Sequence, residues 1–253
     1  TVFEVFTQAR EQGVDTPQVA FMLNFGAGAD TKTQLQTLYK DLYSEGKYSD
    51  LWFLWDGKPL VLAGQNCISP QDRYGEEILD FFTFRYCNPS YFTEDVDISE
   101  NQWGWCSVYP QTKYGVRVDG SVEQMTVNVA QNASDNSNGG PVAMNDYRGG
   151  VYGRGYAKGD YSYSFQYKGE TVTIDKETED AFLYGLNFQQ QWDYALEVDP
   201  DFIFITGWNE WVAIRQQEWG GTENAFADQY TDEYSRDIEP SDGVLKDYFY
   251  YQL

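Results

Sequence analysis

The residues with the clearest potential for chemistry are the five of Gly207-Trp208-Asn209-Glu210-Trp211, which follow the apolar run Phe202–Thr206. In parallel α/β folds, catalytic groups lie where a strand ends and its loop begins, so this position predicts a functional carboxyl at Glu210. The flanking indoles would give that carboxyl a surrounding of low dielectric constant, which favours the protonated form of a general acid. The alternative is a structural glutamate in a hydrogen-bond network at the strand end.

Polar residues follow the other apolar runs as well, namely Asn24, Asp56, Arg85, Asn88, Gln131 and Asn132. If the strands are parallel, these positions share one edge of the sheet with Glu210. The residues predicted to bind a substrate are therefore Asn209, Trp208, Trp211, Arg85, Trp55, Trp105 and Gln131. Trp52, Trp103 and Trp219 are further possible stacking platforms, and we expect about half of these tryptophans to reach a ligand. Because strand residues alternate faces, either Trp52 or Trp55 should belong to the core.

The chain contains no histidine, which excludes the Ser-His and Cys-His nucleophile systems and the usual zinc sites. Acid and base chemistry must fall mainly to Asp, Glu, Tyr or Lys. Three cysteines, Cys67, Cys87 and Cys106, lie outside any metal or redox spacing, and we expect them to be small core residues. The sequence therefore predicts neither a metal site nor a cofactor.

The charge and the aromatic content narrow the class of ligand. A net charge of -23 repels phosphate backbones and anionic membranes, which argues against both as partners. No run approaches the ~18 to 20 apolar residues that a membrane helix needs. Aromatic residues make up 18% of the chain, and rings with polar edges stack well on sugars, although a large aromatic core would explain the same number. The charge therefore favours a neutral ligand, and the aromatic content leaves sugar binding and a large aromatic core both open.

The elements that would position these residues alternate between helices and strands. Helices are predicted over 2–12, 31–44 and 175–198, and strands over 19–25, 51–55, 60–63, 81–86, 124–131 and 202–206. Asp56-Gly57 supplies the positive φ of a hairpin turn between the second and third strands. Repeated βα units with apolar strands predict an α/β fold with a parallel sheet.

The most fitting fold is a (β/α)8 TIM-like barrel, and 253 residues form one such domain. Because the chain starts on a helix and shows only five or six strands, we expect the first one or two βα units to be missing. An open doubly wound sheet is the alternative. Residues 132–168 are rich in Gly, Asn, Asp, Ser and Tyr, which predicts a long loop insertion that borders the site.

Three motifs carry a resemblance to a known family. Trp208-Asn209-Glu210-Trp211 resembles the Trp-Asn-Glu-Trp motif of glycoside hydrolase family 99-like proteins, which include endo-acting α-mannosidases and the WbsX-like proteins of polysaccharide biosynthesis. Residues 50–60 and 228–240 are similar to a group of gut-bacterial glycoside-hydrolase-like proteins. The resemblance covers most of the chain. It implies a glycoside hydrolase that acts on a polysaccharide or host glycan outside the cytoplasm, secreted or at the cell surface.

The same resemblance implies an acid/base role for Glu210, but the second carboxylate must come from another residue than in the family. In the mannosidase branch a second Glu lies three residues after the motif Glu, where this chain has Ala213. The candidates are Glu218, Asp237, Glu239, Asp228 and Asp56. Asp228 ranks first because Asp228-Gln229-Tyr230 recurs in the resembling group. Glu239 could instead fix the closing loop, and Asp237 could pair with Arg236 or Arg215 at the surface.

The departure at Ala213 keeps a second hypothesis open, a non-catalytic glycan-binding or polysaccharide-assembly module on the same barrel. A third is a structural barrel fragment within a larger assembly. Since the chain opens at Thr1 without a starting methionine or a signal peptide, we expect a processed or excised chain. Its partners are expected to include further domains of a larger polypeptide.

Overall fold

The computed structural model of the protein describes residues 1–23, 30–88, 101–135, 140–146 and 148–253. These fall into two compact units, one formed by the residues up to 88 with 101–103, the other by the residues from 104 to 253. Both contain helices and parallel strand pairs, which confirms the predicted α/β class. The prediction of a single domain stays a prediction, and each unit is described by itself.

The first unit begins with a helix that its sequence caps. The Thr1 side chain accepts a hydrogen bond from the Glu4 backbone, and the Glu4 side chain accepts one from the Thr1 amine, so both hydrogen bonds of the capping box are made. The helices of this unit are α1 (Val2–Glu11), α2 (Thr31–Leu38), which continues as a π-helical turn over Tyr39–Tyr43, and α3 (Gly75–Phe81). The strands are β1 (Phe21–Met22), β2 (Leu54–Trp55), β3 (Lys58–Leu62), β4 (Thr83–Asn88) and β5 (Gln102–Gly104).

The sheet of the first unit is built around β3. β1 and β4 flank β3 in parallel, while β2 pairs with β3 in the opposite direction across Asp56-Gly57. Both turn residues have a positive φ, of 52° and 78°, which confirms the predicted hairpin. Trp52 is buried in the core of this unit among Tyr43, Phe81 and Phe82, whereas Trp55 is half-buried. The expected division between the two tryptophans is confirmed.

The second unit is built around one parallel strand pair. Its strands are β6 (Gln124–Asn128), β7 (Ser162–Tyr167), β8 (Glu170–Asp175), β9 (Phe202–Thr206), β10 (Gln216–Trp219) and β11 (Thr222–Ala225), and its helices are α4 (Leu186–Val198) and α5 (Tyr248–Gln252). β6 and β9 pair in parallel over their full lengths, from Gln124 opposite Phe202 to Asn128 opposite Thr206. β9 has the bounds that the sequence predicts.

Helix α4 packs against β6 through a set of buried amides. The Asn187 side chain donates to the Asn128 carbonyl at 2.8 Å, and the Gln191 side chain accepts from the Asn128 backbone at the same distance. Buried amides need such partners because an unsatisfied polar group costs ~1–3 kcal/mol. These bonds fix the end of β6, where the candidate site begins.

The two largest differences from the sequence-based prediction are the end of a loop and the start of a helix. The loop predicted over 132–168 ends early, because Ser162–Tyr167 forms β7 and turns back into β8 through Lys168-Gly169, both with positive φ. Because many side chains of β7 are polar and exposed, the amino-acid composition of this segment does not distinguish it from a loop. The helix predicted from residue 175 begins at Leu186, because Gly185 has a φ of 61° and interrupts the helical path. Among the described residues, no helix is both long and apolar enough to cross a membrane.

Candidate functional site

The turn after β9 brings a distant segment of the chain against it. Gly207 has a φ of 95°, and its carbonyl accepts from the Ile238 backbone at 2.6 Å. The Glu239 backbone in turn donates to the Trp208 carbonyl at 2.9 Å. A Cβ at Gly207 would overlap the carbonyl oxygen of Arg236. Residue 207 must therefore be glycine for two reasons: its positive φ, and the close approach of the backbone that puts Arg236 beside Glu210.

Arg236 joins two carboxylates. Its Nη2 atom donates to Glu210 Oε2 at 3.1 Å and to Asp228 Oδ1 at 2.8 Å. Because both oxygens contact one nitrogen at these distances, they lie at most about 6 Å apart. The Asp228 side chain is only 5% exposed, whereas the Glu210 side chain is 48% exposed. The arrangement thus offers one buried and one accessible carboxylate on a shared cation.

The guanidinium of Arg236 is enclosed by groups at the ends of β6 and β9. It lies over the Trp105 ring, 5.2 Å from its centroid, and its Nη1 approaches Cys106 Sγ at 3.9 Å. Asn128 also donates to Cys106 Sγ at 3.3 Å and bonds to Thr206. Burial raises the pKa of the Cys106 thiol, so this cysteine remains a neutral thiol. Its role here is to pack against Arg236.

Asp237 is a third acid in this region. It is buried, and burial raises its pKa to about 7, with the charge of Asp228 as the second cause. Arg154 and Arg236 oppose that shift. Asp237 therefore retains its proton up to near-neutral pH.

Arg154 holds the backbone of this segment. Its guanidinium donates to the Ser235 carbonyl at 3.1 Å and to the Asp237 carbonyl at 2.5 Å, and it lies 4.4 Å from the centroid of the Phe249 ring. Burial lowers the pKa of Arg154 to about 10, so it stays a cation at neutral pH. The two arginines together determine the path of residues 235–237.

Glu239 ties the motif loop together. Its Oε2 atom accepts from Asn209 Nδ2 at 2.6 Å and from the indole nitrogen of Trp211 at 3.0 Å. Asn209, predicted to hold substrate hydroxyls, therefore has one of its donors committed to Glu239. This is the loop-fixing role that the sequence analysis left open for Glu239.

The tryptophans of the motif do not enclose Glu210. Trp208 is 42% exposed and meets Tyr250 edge-on, and Trp211 is 73% exposed. The low-dielectric surrounding expected from the two indoles is therefore wrong, because both rings turn toward solvent and Glu210 bonds to a cation instead. Of the other candidate platforms, Trp103 is fully buried, while Trp105 and Trp219 are half-buried.

A small enclosed cavity of about 100 Å³ lies next to the motif loop. Its wall includes Asn209, Asp237, Glu239, Arg154 and Lys246. Neither Glu210 nor Asp228 is part of that wall. The cavity is thus polar and adjoins the carboxylate pair without containing it.

The remaining predicted residues lie elsewhere. In the first unit, Asp56 accepts from Arg85 Nη2 at 2.9 Å, and Trp55 packs edge-on against Trp103. In the second unit, Gln131 is fully buried, and within the described residues its side-chain amide has no hydrogen-bond partner. Asn24 and the side chain of Asn88 lie outside the described residues.

Two functional residues were missed by sequence reasoning. Arg236 was considered only as a surface partner of Asp237, and that interpretation is wrong because Arg236 is buried and bonds to Glu210 and Asp228. Its place within Ser235-Arg236-Asp237-Ile238-Glu239-Pro240, one of the motifs used for the resemblance, was the available signal. No sequence signal pointed to Arg154, since it lies in a glycine-rich stretch. The described residues contain no cluster of three His, Cys, Asp or Glu able to hold a metal.

No family model matches the chain, and no significant similarity relates it to a curated protein or to a solved structure.

Proposed function

We propose that the protein is a glycoside hydrolase that acts on a polysaccharide or host glycan through Glu210 and Asp228. The observation that carries this proposal is the convergence of both carboxylates on Arg236 Nη2. Glycoside hydrolysis needs two carboxyl groups, ~5 to 5.5 Å apart for retention of the anomeric configuration and ~6.5 to 9.5 Å apart for inversion. A limit of about 6 Å between the bonded oxygens favours retention.

The two carboxylates suit different steps. Asp228 is buried and held by its ion pair with Arg236, and a carboxylate fixed in this way fits a nucleophile. Glu210 is half exposed and fits an acid/base that reaches the leaving-group oxygen. Glu210 is bonded to Arg236, so its approach to the leaving-group oxygen requires that this contact loosens when substrate binds.

We also propose a fold, a family and a cellular location for the protein. The β6-α4-β9 unit and the parallel strands of the first unit support a (β/α)8 barrel that lacks its first one or two βα units. The motif resemblance supports a place among the family 99-like proteins, a secreted or cell-surface location and further domains in a larger polypeptide. Asp56 remains an alternative second carboxylate.

A second candidate function is a non-catalytic glycan-binding or polysaccharide-assembly module. The observation that favours it is that Glu210 is already paired with a cation, next to two exposed indoles that could stack on sugar. The absence of an acid at Ala213 points the same way.

Turnover measurements on a polysaccharide panel separate these functions. Reducing-sugar release by the wild-type chain should fall ~10² to 10⁴-fold in Glu210→Gln, the range that acid/base groups contribute. It should fall at least as far in Asp228→Asn, which removes the proposed nucleophile. Asp56→Asn tests the alternative second carboxylate and should retain activity if Asp228 is the partner of Glu210. Unchanged turnover in Glu210→Gln would remove Glu210 from catalysis, a loss confined to Asp56→Asn would move the second carboxylate there, and binding without hydrolysis would favour the module.

A further inference from the structure

An open groove of about 460 Å³ lies between β7, α4 and α5, all within the second unit. Ligand pockets typically have volumes of ~300 to 1,000 Å³, so the groove has room for one or two sugar rings. Its lining shares no residue with the set around Glu210, Asp228 and Arg236. It is therefore a separate feature of this unit.

Aromatic rings form much of the groove. Tyr163 and Phe165 are alternate residues of β7, and their rings lie 28° from parallel with centroids 6.0 Å apart. Tyr248 and Tyr251 contribute from α5, and Tyr251 is 77% exposed. Tyr163 and Phe165 are half-buried and form the base of the groove, whereas the exposed Tyr251 ring presents a flat apolar face of the kind that stacks on the C–H face of a sugar.

The polar groups of the groove are connected to one another. Gln189 donates to Asp193 Oδ1 at 2.8 Å, and Gln252 donates to Gln189 Oε1 at 3.3 Å. Asp193 also accepts from the Tyr161 hydroxyl at 2.6 Å. Side chains oriented by such bonds can offer their remaining donors and acceptors to hydroxyl groups without a large further loss of side-chain entropy.

The charge of the lining selects against anions. Among the described residues, those that line the groove include no Lys or Arg, and Asp193 is the one charged member. A phosphate, sulfate or uronate group would meet a carboxylate without a compensating cation. The net charge of -23 acts in the same direction. A neutral ligand is therefore favoured.

We propose that this groove is a second carbohydrate-binding site, which takes a neutral polysaccharide and holds it on the surface of the unit. Tyr251 stacks on the sugar, while Gln189, Asp193 and Gln252 bond to its hydroxyls. The ligand class is that of the proposed function, but binding in the groove does not depend on Glu210.

Affinity gel electrophoresis tests the groove directly. The wild-type protein is run through native gels that contain soluble starch, mixed-linkage β-glucan, xylan or mannan, and its retardation gives an affinity for each. The variants are Tyr251→Ala, which removes the ring, and Tyr251→Phe, which keeps it. Tyr167→Ala is the matched control, because Tyr167 is an exposed tyrosine on β7 outside the groove. Glu210→Gln reports on the other site.

We expect at least one of these polysaccharides to retard the wild-type protein, with a loss of at least about fivefold in affinity for Tyr251→Ala. Tyr251→Phe, Tyr167→Ala and Glu210→Gln should be retarded as the wild type is. Equal retardation of Tyr251→Ala and wild type, or no retardation by any of the four polysaccharides, would overturn the proposal. Loss of retardation in Glu210→Gln alone would place the binding at the carboxylate pair. If Glu210→Gln loses turnover but is still retarded in the gel, the result would support the groove and the carboxylate pair as two separate sites.

Discussion

Each unit contains a buried arginine that lies over a tryptophan ring and bonds to acidic side chains. Arg85 lies 5.8 Å from the Trp103 ring centroid and bonds to Asp56, and Arg236 lies 5.2 Å from the Trp105 ring centroid. The difference is in the partners. Asp56 is 69% exposed, whereas Arg236 holds Asp228, which is almost fully buried, together with Glu210.

This difference shows that the burial of the partner, more than the arginine itself, decides what the pair contributes. Exposed pairs are worth ~0–1 kcal/mol because water solvates each charge almost as well as its partner does. Asp228 is buried, so water cannot solvate its carboxylate in place of Arg236. The free energy of a carboxylate in that position therefore depends on the cation. Arg236 is also the arginine that brings together two carboxylates, which the proposed chemistry needs.

The largest effect is expected from Arg236→Met. This change leaves Asp228 buried without that cation, and removal of one partner of a buried pair costs ~3–5 kcal/mol of the free energy of unfolding. Urea unfolding with an unchanged denaturant slope is the measurement. Arg85→Met is the matched control and should cost clearly less, because Asp56 remains solvated. Equal costs for the two variants would show that the burial of Asp228 is not what separates the two arginines.

The turns that position the two pairs should respond differently to a methyl group. At Gly207 a Cβ would overlap the Arg236 carbonyl oxygen as well as force a positive φ, whereas at Gly57, with φ of 78°, it meets no atom within 4 Å. We expect Gly207→Ala to cost about 3 kcal/mol or more and Gly57→Ala about 1 kcal/mol. Thermal and urea unfolding measure both. Similar values would mean that residues 235–239 can shift away from β9 at little cost.

A pH dependence is expected in the second unit through Asp237. Its pKa in the folded state is raised from 3.8 to about 7, so the folded protein binds this proton more tightly than the unfolded chain does. The contribution of Asp237 to stability is therefore fully present below pH ~4 and is lost as the pH rises through about 7.

The measurement for Asp237 is urea unfolding of the wild type and Asp237→Asn between pH 4 and 8. The wild type should lose stability relative to the variant across that range, because the amide does not titrate. Asp56→Asn, tested in the same way, should run parallel to the wild type. A constant difference between wild type and Asp237→Asn would contradict the raised pKa.

The smallest effect is expected from Asp56→Asn. Loss of one exposed ion pair should change the free energy of unfolding by at most ~1 kcal/mol. Asp228→Asn should cost more, ~1–3 kcal/mol, since it weakens a buried charge-assisted hydrogen bond. Chemical denaturation at neutral pH gives both values. A reversed order would show that Arg85 depends on Asp56 more than the exposure of Asp56 implies.

The sequence predicted much of the local structure because burial repeats along a strand or helix. The apolar run of β9, the start of β6 and the Asp56-Gly57 hairpin are all visible in the order of residue types. Where that signal fails, the prediction fails too. β7 is too polar to be distinguished from loop, and the start of α4 depends on the positive φ of Gly185.

For the candidate site, the sequence by itself determined the position of Glu210 at the end of a parallel strand and Asp228 as a candidate partner. The tertiary structure decided what surrounds them. Arg236 reaches Glu210 only because residues 238 and 239 bond to the turn after β9, and Arg154 reaches Ser235 across 81 positions of sequence. Such contacts depend on where the backbone returns, which no local pattern of residue types specifies, and the same holds for the exposure of Trp208 and Trp211.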